Sequence, residues 1–374
     1  MNILLQLGSQ GGGQDLIWMI LWWASFIIFI FYGQKINAQM ALFEVRRVLG
    51  QLNKMRKIAW NEAVNKLKKE GCDEKLAKDK LKIMINSFVI FPETLDPTGV
   101  FKKIEHILDV RDERMMAFIK DILPDIDHSK ARNIENLIEA TIALEQLYKI
   151  VQHYYLLSKR TDNIYLLLQL QMQLPLIIEQ AKAYFSALNA FKSGIPIGDG
   201  IGALVASKIL NEAENVKLEE VSKETVVGGI NLEGRLVYVV KARGPGGAVG
   251  KPGEAVMKII ERNKDRKIKL IIMIDAAVKL EGEKLGEVVE GVGAAIGGVG
   301  VDKYKIEEIA TRYNIPIYAI VIKESLLNAI SIMRKEMYSS LNEAVKKVKT
   351  IILENSSPGD RIIVVGVGNT MGII

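Results

Sequence analysis

The chain reads as a single N-terminal transmembrane helix, an all-α helical middle and a C-terminal α/β domain with a mainly parallel sheet. Three observations predict this order. Leu16 to Tyr32 is an uncharged apolar run. From Lys35 onward, apolar residues recur at helical spacing. From Gly194, glycine becomes frequent and short β-branched runs alternate with helical segments. At 374 residues, 49% hydrophobic and 25% charged, the chain has the composition of a folded protein of two or three domains. The lone Cys72 excludes an intrachain disulfide framework. His106, His128 and His153 all lie before the C-terminal part, which excludes a Ser-His-Asp triad within it and argues against a histidine zinc site.

The apolar run LIWMILWWASFIIFIFY has seventeen residues. At helical rise it spans about 25 Å, near the lower limit for a bilayer crossing. Trp18 and Tyr32 lie near its ends, where aromatic rings favour the membrane interface. A buried core helix rarely lacks a polar face. A cleaved signal peptide wants a basic leader, and residues 1–15 contain no Lys or Arg. The sequence therefore predicts an uncleaved anchor over 16–33, with the lipid bilayer as partner. Lys35, Arg46, Arg47, Lys54, Arg56 and Lys57 follow it. The positive-inside rule then leaves the tail 1–15 outside the cell. The expected location is the cell membrane, single-pass, with the later domains facing the cytoplasm. The formal charge of +6 is modest, and nucleic acid is not an expected partner.

The middle, residues 34–192, is expected to be helical throughout. Gly71 marks a stop and a second helix covers Asp73 to Asn86. Pro92, Pro97 and Gly99 break the pattern before a helix over Phe101 to Ile122. The charge-rich DVRDER, residues 109–114, reads as a solvated helix face. Ile134 to Leu157 and residues 161–192 continue the helical pattern. Within it, residues 165–178 read YLLLQLQMQLPLII. Gln169, Gln171, Gln173 and the fourteen-residue length favour a buried helix kinked at Pro175, against a second span or a re-entrant segment. The alternating glutamines also carry a strand period. Amphipathic helices of this kind suit a homo-oligomer.

The C-terminal part, residues 193–374, contains expected strands within 234–243, 268–278, 315–323 and 360–370. Helices are expected over Gly202–Asn215, Gly253–Arg262, Lys305–Tyr313 and Leu326–Thr350. Ligands of such sheets bind beyond the carboxyl ends of the strands. Four stretches are candidates for that place: GIPIGDGIGALVASKIL from Gly194, ARGPGGAVGKPGEA from Ala242, Asp275 with GEKLGEVVEGVGAAIGGVG, and GVGNT at 366–370. The second is not a Walker loop, because Pro245 occupies the glycine position and Pro252 the Ser/Thr position. Its backbone still suits a nest for a small anion or cofactor, formed by Gly246, Gly247 and Gly250, with Arg243 and Lys251 adding charge. Asp199 and Asp275, with Glu324, are the acidic candidates. Oxygen donors suit a divalent metal or carboxylate acid–base catalysis. The alternative is a helix cap for Asp199 and a turn cap for Asp275. Ser325 and Thr370 are hydroxyl candidates without a matched base.

The stretch GIPIGDGIGALVASKIL resembles the glycine-rich strand-to-helix turn of the hydrogenase-maturation-protease fold. That resemblance implies metal binding by Asp199 on the acidic loop and by Asp275 after a later strand. Here Gly200 replaces the second acid of the usual pair. The whole layout, with its anchor, helical middle and closing GVGNT, resembles an uncharacterised archaeal membrane-protein family with a domain of unknown function. Three functional readings follow. The first is a membrane-anchored binding or assembly module for a small anion or a metal. The second is a metal-dependent, peptidase-like hydrolase using Asp199 and Asp275. The third is a scaffold with a degenerate enzyme fold.

Overall fold

Helices carry the chain as far as Ser193, and a sheet follows. The computed structural model describes residues 12–87, 89–90, 97–265, 267–298 and 300–374. The helices are α1 (Gly12–Lys69), α2 (Glu74–Ile85), α3 (Pro97–Ile122), α4 (His128–Thr161) and α5 (Ile164–Ser193). Asp73 caps α2 by accepting hydrogen bonds from the N–H groups of Lys75 and Leu76. Pro97 opens α3, where its missing N–H costs nothing. Helix α5 runs on through Pro175, so the strand period of its glutamines is not realised.

The anchor does not survive. Among the described residues, no helix is long and apolar enough to cross a membrane. The run Leu16 to Tyr32 is no separate span. It is the first part of the 58-residue α1, which continues through Lys35, Glu44, Arg46 and Arg47. Seventeen residues fall short of the roughly twenty that a hydrocarbon core about 30 Å thick demands. The single-pass topology, the bilayer partner and the membrane location fall with it. The external tail expected over 1–15 lies outside the described residues as far as residue 11, as do residues 88 and 91–96 of the expected break and Val299 of the third glycine-rich stretch.

The chain divides into two compact units. One joins Met1–Lys54 to Leu147–Ile178 and the other joins Met55–Gln146 to Glu179–Ile374. In the first, Gln171 Nε2 donates to Glu44 Oε2 at 2.6 Å, which gives one of the three glutamines an ordinary polar partner.

In the second unit the α/β elements are α6 (Ile201–Asn211), β1 (Leu218–Ser222), β2 (Thr225–Leu232), β3 (Arg235–Ala242), α7 (Pro252–Arg262), β4 (Ile268–Val278), β5 (Val288–Val292), α8 (Val301–Tyr313), β6 (Ile317–Glu324), α9 (Leu326–Ala329), α10 (Lys335–Asn355) and β7 (Arg361–Gly366). The seven-stranded sheet has the order β1-β2-β3-β7-β4-β6-β5. The core β3-β7-β4-β6 is parallel. Strands β1, β2 and β5 join antiparallel. The sheet is thus mixed rather than mainly parallel. Its added hairpin is dictated locally, since Glu233 and Gly234 both take positive φ between β2 and β3, as a tight two-residue turn requires.

Helices cover both faces of the sheet. Ile272, Ile274 and Val364 pack toward α6 and α10. Ile271, Met273 and Val365 pack toward α7 and α8. Burial on both faces is why β4 and β7 read as unbroken apolar runs. The N-terminus of α6 approaches the sheet closely. A Cβ on Gly202 would overlap the carbonyls of Ile274 and Val367, so only glycine allows this seat.

Candidate functional site

The ends of the parallel strands carry the acids. Asp275 lies in the last part of β4, Glu324 closes β6, and Val367–Gly368 follow β7. Asp199 sits on the 3-10 turn Gly198–Gly200 that leads into α6. That turn is clamped from two sides. The segment between α9 and α10 pairs with it: Ile197 bridges Ile332, Gly198 N–H donates to Ser331 O, and Met333 N–H donates to Pro196 O. On the other side, Asn369 N–H donates to Asp199 Oδ2 at 3.0 Å. Gly368 permits that approach, with φ at +120° and no room for a Cβ against the Asp199 carbonyl.

Asp199 and Asp275 line one cavity of about 700 Å³. Asp275 is 7% exposed. Its Oδ1 accepts from Ala276 N–H at 2.8 Å and its Oδ2 from Gly297 N–H at 3.2 Å. Burial, then the nearby Asp199 charge, push Asp275 up to about 8, against the pull of those two donors. Asp199 is half-buried at the cavity, and desolvation by the protein around it raises it too, opposed by the Asn369 N–H. Glu324 stands behind them at 1% exposed, with its Oε2 lacking any hydrogen-bond partner. Burial, then the Asp199 and Asp275 charges, lift it to about 8. Its carboxyl packs where a Cβ on Gly198 would stand. Among the described residues, none of these three acids is ion-paired with a lysine or arginine.

The opposite wall of the cavity comes from α3 and α4. Glu105, Asp109 and Asp112 project from α3, and Arg132, Glu135 and Asn136 from α4. Arg132, 6% exposed, pairs with Asp112 at 2.5 Å, Glu135 at 2.6 Å and Glu224 at 2.8 Å. Lys251 pairs with Asp109 at 2.7 Å and Glu105 at 3.4 Å. Lys305 also reaches Glu105. Phe101 of α3 stacks on Tyr304 of α8 at 4.6 Å, which fixes the wall to the sheet side. The expected solvated face DVRDER holds for Val110, Glu113 and Arg114, which are exposed, whereas Asp109, Arg111 and Asp112 line the cavity. A signal was present. Glu105, Asp109 and Asp112 follow one another at four and three residues, which puts three acids on one helix face.

The glycine-rich loop expected to hold an anion behaves differently. Gly247, Gly250 and Lys251 line the cavity, whereas Arg243 lies apart and pairs with Glu220 at an exposed position. Gly246 packs against Ser129. Gly247 N–H is already given to Asn133 Oδ1 at 3.0 Å, and Lys251 N–H to Thr225 Oγ1 at 2.6 Å. The Lys251 ammonium is spent on carboxylates. A small anion finds no uncommitted base in this loop. The hydroxyl candidates are also engaged: Thr370 is fully buried among the carbonyls of Arg243, Gly246 and Ala248, and Ser325 caps α9.

The metal reading is overturned as well. Among the described residues, no group of three or more His, Cys, Asp or Glu side chains is placed to hold a metal ion. The Asp275 oxygens and one Asp199 oxygen instead accept backbone N–H groups. The metal-dependent hydrolase and the membrane-anchored metal or anion module are thereby withdrawn. Chemically, the site offers carboxyl groups that burial raises above the ordinary carboxylate range and that line one cavity.

Residues 19–194 match the model described as the N-terminal domain of a protein of unknown function, DUF1512. Residues 197–374 match the DUF1512 C-terminal domain of unknown function. This match replaces both expected resemblances. The membrane-protein family goes with the anchor, and nothing supports the hydrogenase-maturation-protease fold. The residues before Gly194 are the helix α5, so no strand feeds the Gly-Asp-Gly turn. No curated protein matches the chain.

Proposed function

The chain belongs to the DUF1512 family, and we propose that its C-terminal part is a small-molecule site in which Asp199 and Asp275 take up and release protons. One observation carries the reading. Two carboxyl groups from different elements line a cavity of about 700 Å³, and among the described residues no lysine or arginine is paired to either. Such carboxyls stay protonated where an ordinary aspartate is ionised, and each lost proton raises the cost of losing the next. Asp275, pushed up to about 8, is a general acid at neutral pH and becomes a base once a ligand accepts its proton. Asp199 sets how readily that happens, because its charge opposes the ionisation of Asp275. The Ala276 and Gly297 N–H groups hold the Asp275 carboxylate in place after the proton leaves.

The test is a carboxyl-selective carbon-13 NMR titration of the full chain. Asp275 is expected to titrate near 8 and to fall in Asp199→Asn, where the neighbouring charge is gone. An Asp275 that titrates near the ordinary value of about 4 sinks the reading.

A further inference from the structure

The charges around the cavity point to the chemistry of its ligand, given the reading of Asp199 and Asp275 as a proton-exchanging pair. The bases of the wall are committed. Arg132 and Lys251 are each held by two or more carboxylates, Lys223 pairs with Asp112, and Arg111 pairs with Glu139. An anionic ligand would have to break one of these pairs. The acids of the floor are uncommitted. Asp199 and Asp275 lack a cation among the described residues. Asp302, which accepts Gly253 N–H at the start of α8, makes no ion pair among the described residues, although the Lys305 and Lys251 charges act on it. Glu324 adds a further carboxyl, almost wholly buried behind the pair, with Oε2 unsatisfied. Removing protons from this floor without adding a cation would gather like charges in a poorly solvated space.

We infer that the cavity takes a small organic cation, a ligand bearing a primary ammonium or guanidinium group that sits against Asp199 and Asp275 in place of their protons. The balance is simple. The Asp275 carboxyl loses its proton to solvent, the carboxylate gains the ligand's N–H donors, and the net charge of the floor is unchanged. A guanidinium or ammonium supplies several donors and no acceptor, which suits a floor made of acceptors. Affinity must then rise with pH while the carboxyls hold protons, by up to tenfold per unit for each proton released. It levels off once they are ionised and falls only when the ligand amine itself deprotonates, near 10 for an alkyl ammonium. The titratable groups that line the cavity with Asp275 are Asp199 on the turn before α6, Asp302 on α8, Glu135 on α4 and Lys251 before α7, and the charge of Asp275 also acts on Glu324 of β6. Of these, Lys251 is already paired and Glu135 already faces Arg132.

The experiment is isothermal calorimetry on the full chain with 1,4-diaminobutane, its neutral counterpart 1,4-butanediol and its anionic counterpart succinate. Each is titrated at three values between pH 6 and 9, in two buffers of different ionisation enthalpy. The diamine is expected to bind saturably, to tighten about tenfold per unit up to pH 8 and to release protons. Asp199→Asn and Asp275→Asn, each checked for folding by circular dichroism, are expected to lose at least tenfold in affinity and the proton release. Glu219→Gln, a carboxyl outside the cavity that pairs with Arg262 at an exposed position, is expected to keep both. Preference for succinate, diamine binding unchanged in both aspartate variants, or no diamine binding at millimolar concentration at pH 9 would each overturn the inference. The NMR titration separates the failures. Asp275 titrating near 8 with no diamine bound removes the ligand class alone, whereas Asp275 titrating near 4 removes the proton-exchanging pair beneath it.

Discussion

The two walls of the cavity treat their charges differently, although burial lifts Glu135 on the helical wall to about 7 even beside Arg132. On the helical wall, Arg132 is almost buried yet remains charged, because Asp112, Glu135 and Glu224 surround it. On the sheet side, Asp275 and, behind the cavity, Glu324 are just as buried, and among the described residues no base is paired with them, so burial lifts each to about 8. Buried charge can be met by an opposite charge or by a proton. The first solution fixes structure and resists change. The second leaves a group that can still react.

That contrast can be broken at either wall. The largest effect is expected for Arg132→Met, which leaves three carboxylates facing one another without their cation. A loss of roughly 3–5 kcal/mol in urea unfolding is the expected cost of stripping one partner from a buried ionic cluster. A loss below about 1 kcal/mol would show that the helical wall is more hydrated than its burial implies.

Glu324→Gln should act in the opposite sense, and only above a certain pH. Folding lifts Glu324 to about 8 from about 4.3 in an unfolded chain. The folded state therefore binds the proton more tightly. Its stability is fully present below about pH 4 and is lost as pH rises toward 8, by up to roughly 1.4 kcal/mol per unit. Glutamine removes that slope. The variant should gain about 2–4 kcal/mol at pH 9 over the parent and nothing at pH 4, measured by thermal unfolding in matched buffers. A gain independent of pH would mean that Glu324 is ionised throughout.

Gly198→Ala should cost about 1–3 kcal/mol, because its Cβ would overlap both the Glu324 carboxyl and the Asn328 carbonyl. The same variant should disturb the Asp275 titration, since Asp199 is the next residue. The smallest effect is expected for Arg243→Ala. Its pair with Glu220 is exposed on both sides, and its removal should change stability by less than about 1 kcal/mol and leave the cavity untouched.

The sequence foretold this molecule unevenly, for physical reasons. Strands β3, β4, β6 and β7 are β-branched apolar runs, and double burial forces them to be so. Strands β1, β2 and β5 escaped notice. They lie toward the sheet edges, and LEEVS, Gly228–Gly229 and Gly291 dilute the pattern. The helix expected over Leu326–Thr350 is interrupted between α9 and α10, because residues there pair with Pro196–Gly198 instead of continuing the helical ladder. No local propensity encodes such a choice. Asp199 and Asp275 were visible as acids near strand ends, whereas their meeting depends on the Gly202 and Gly368 contacts. The cavity-lining part of the helical wall is not legible, because a run of alternating charges looks the same whether it faces water or a cavity. The apolar run of α1 was legible as helix, but helix formation alone says nothing of what surrounds it.

The helical wall also bears on how the gene product should be dissected. The two family matches part between residues 194 and 197, an inviting place to cut. A fragment starting there would keep Asp199, Asp275 and Glu324 but lose α3 and α4. Lys251 and Lys305 would be stripped of Glu105, and the pocket would lie open on one side. Negative results from such a fragment would report the amputation and not the chemistry of the intact chain. The natural module for biochemistry is longer than the module of sequence descent, and libraries built on the shorter one would screen half a cavity.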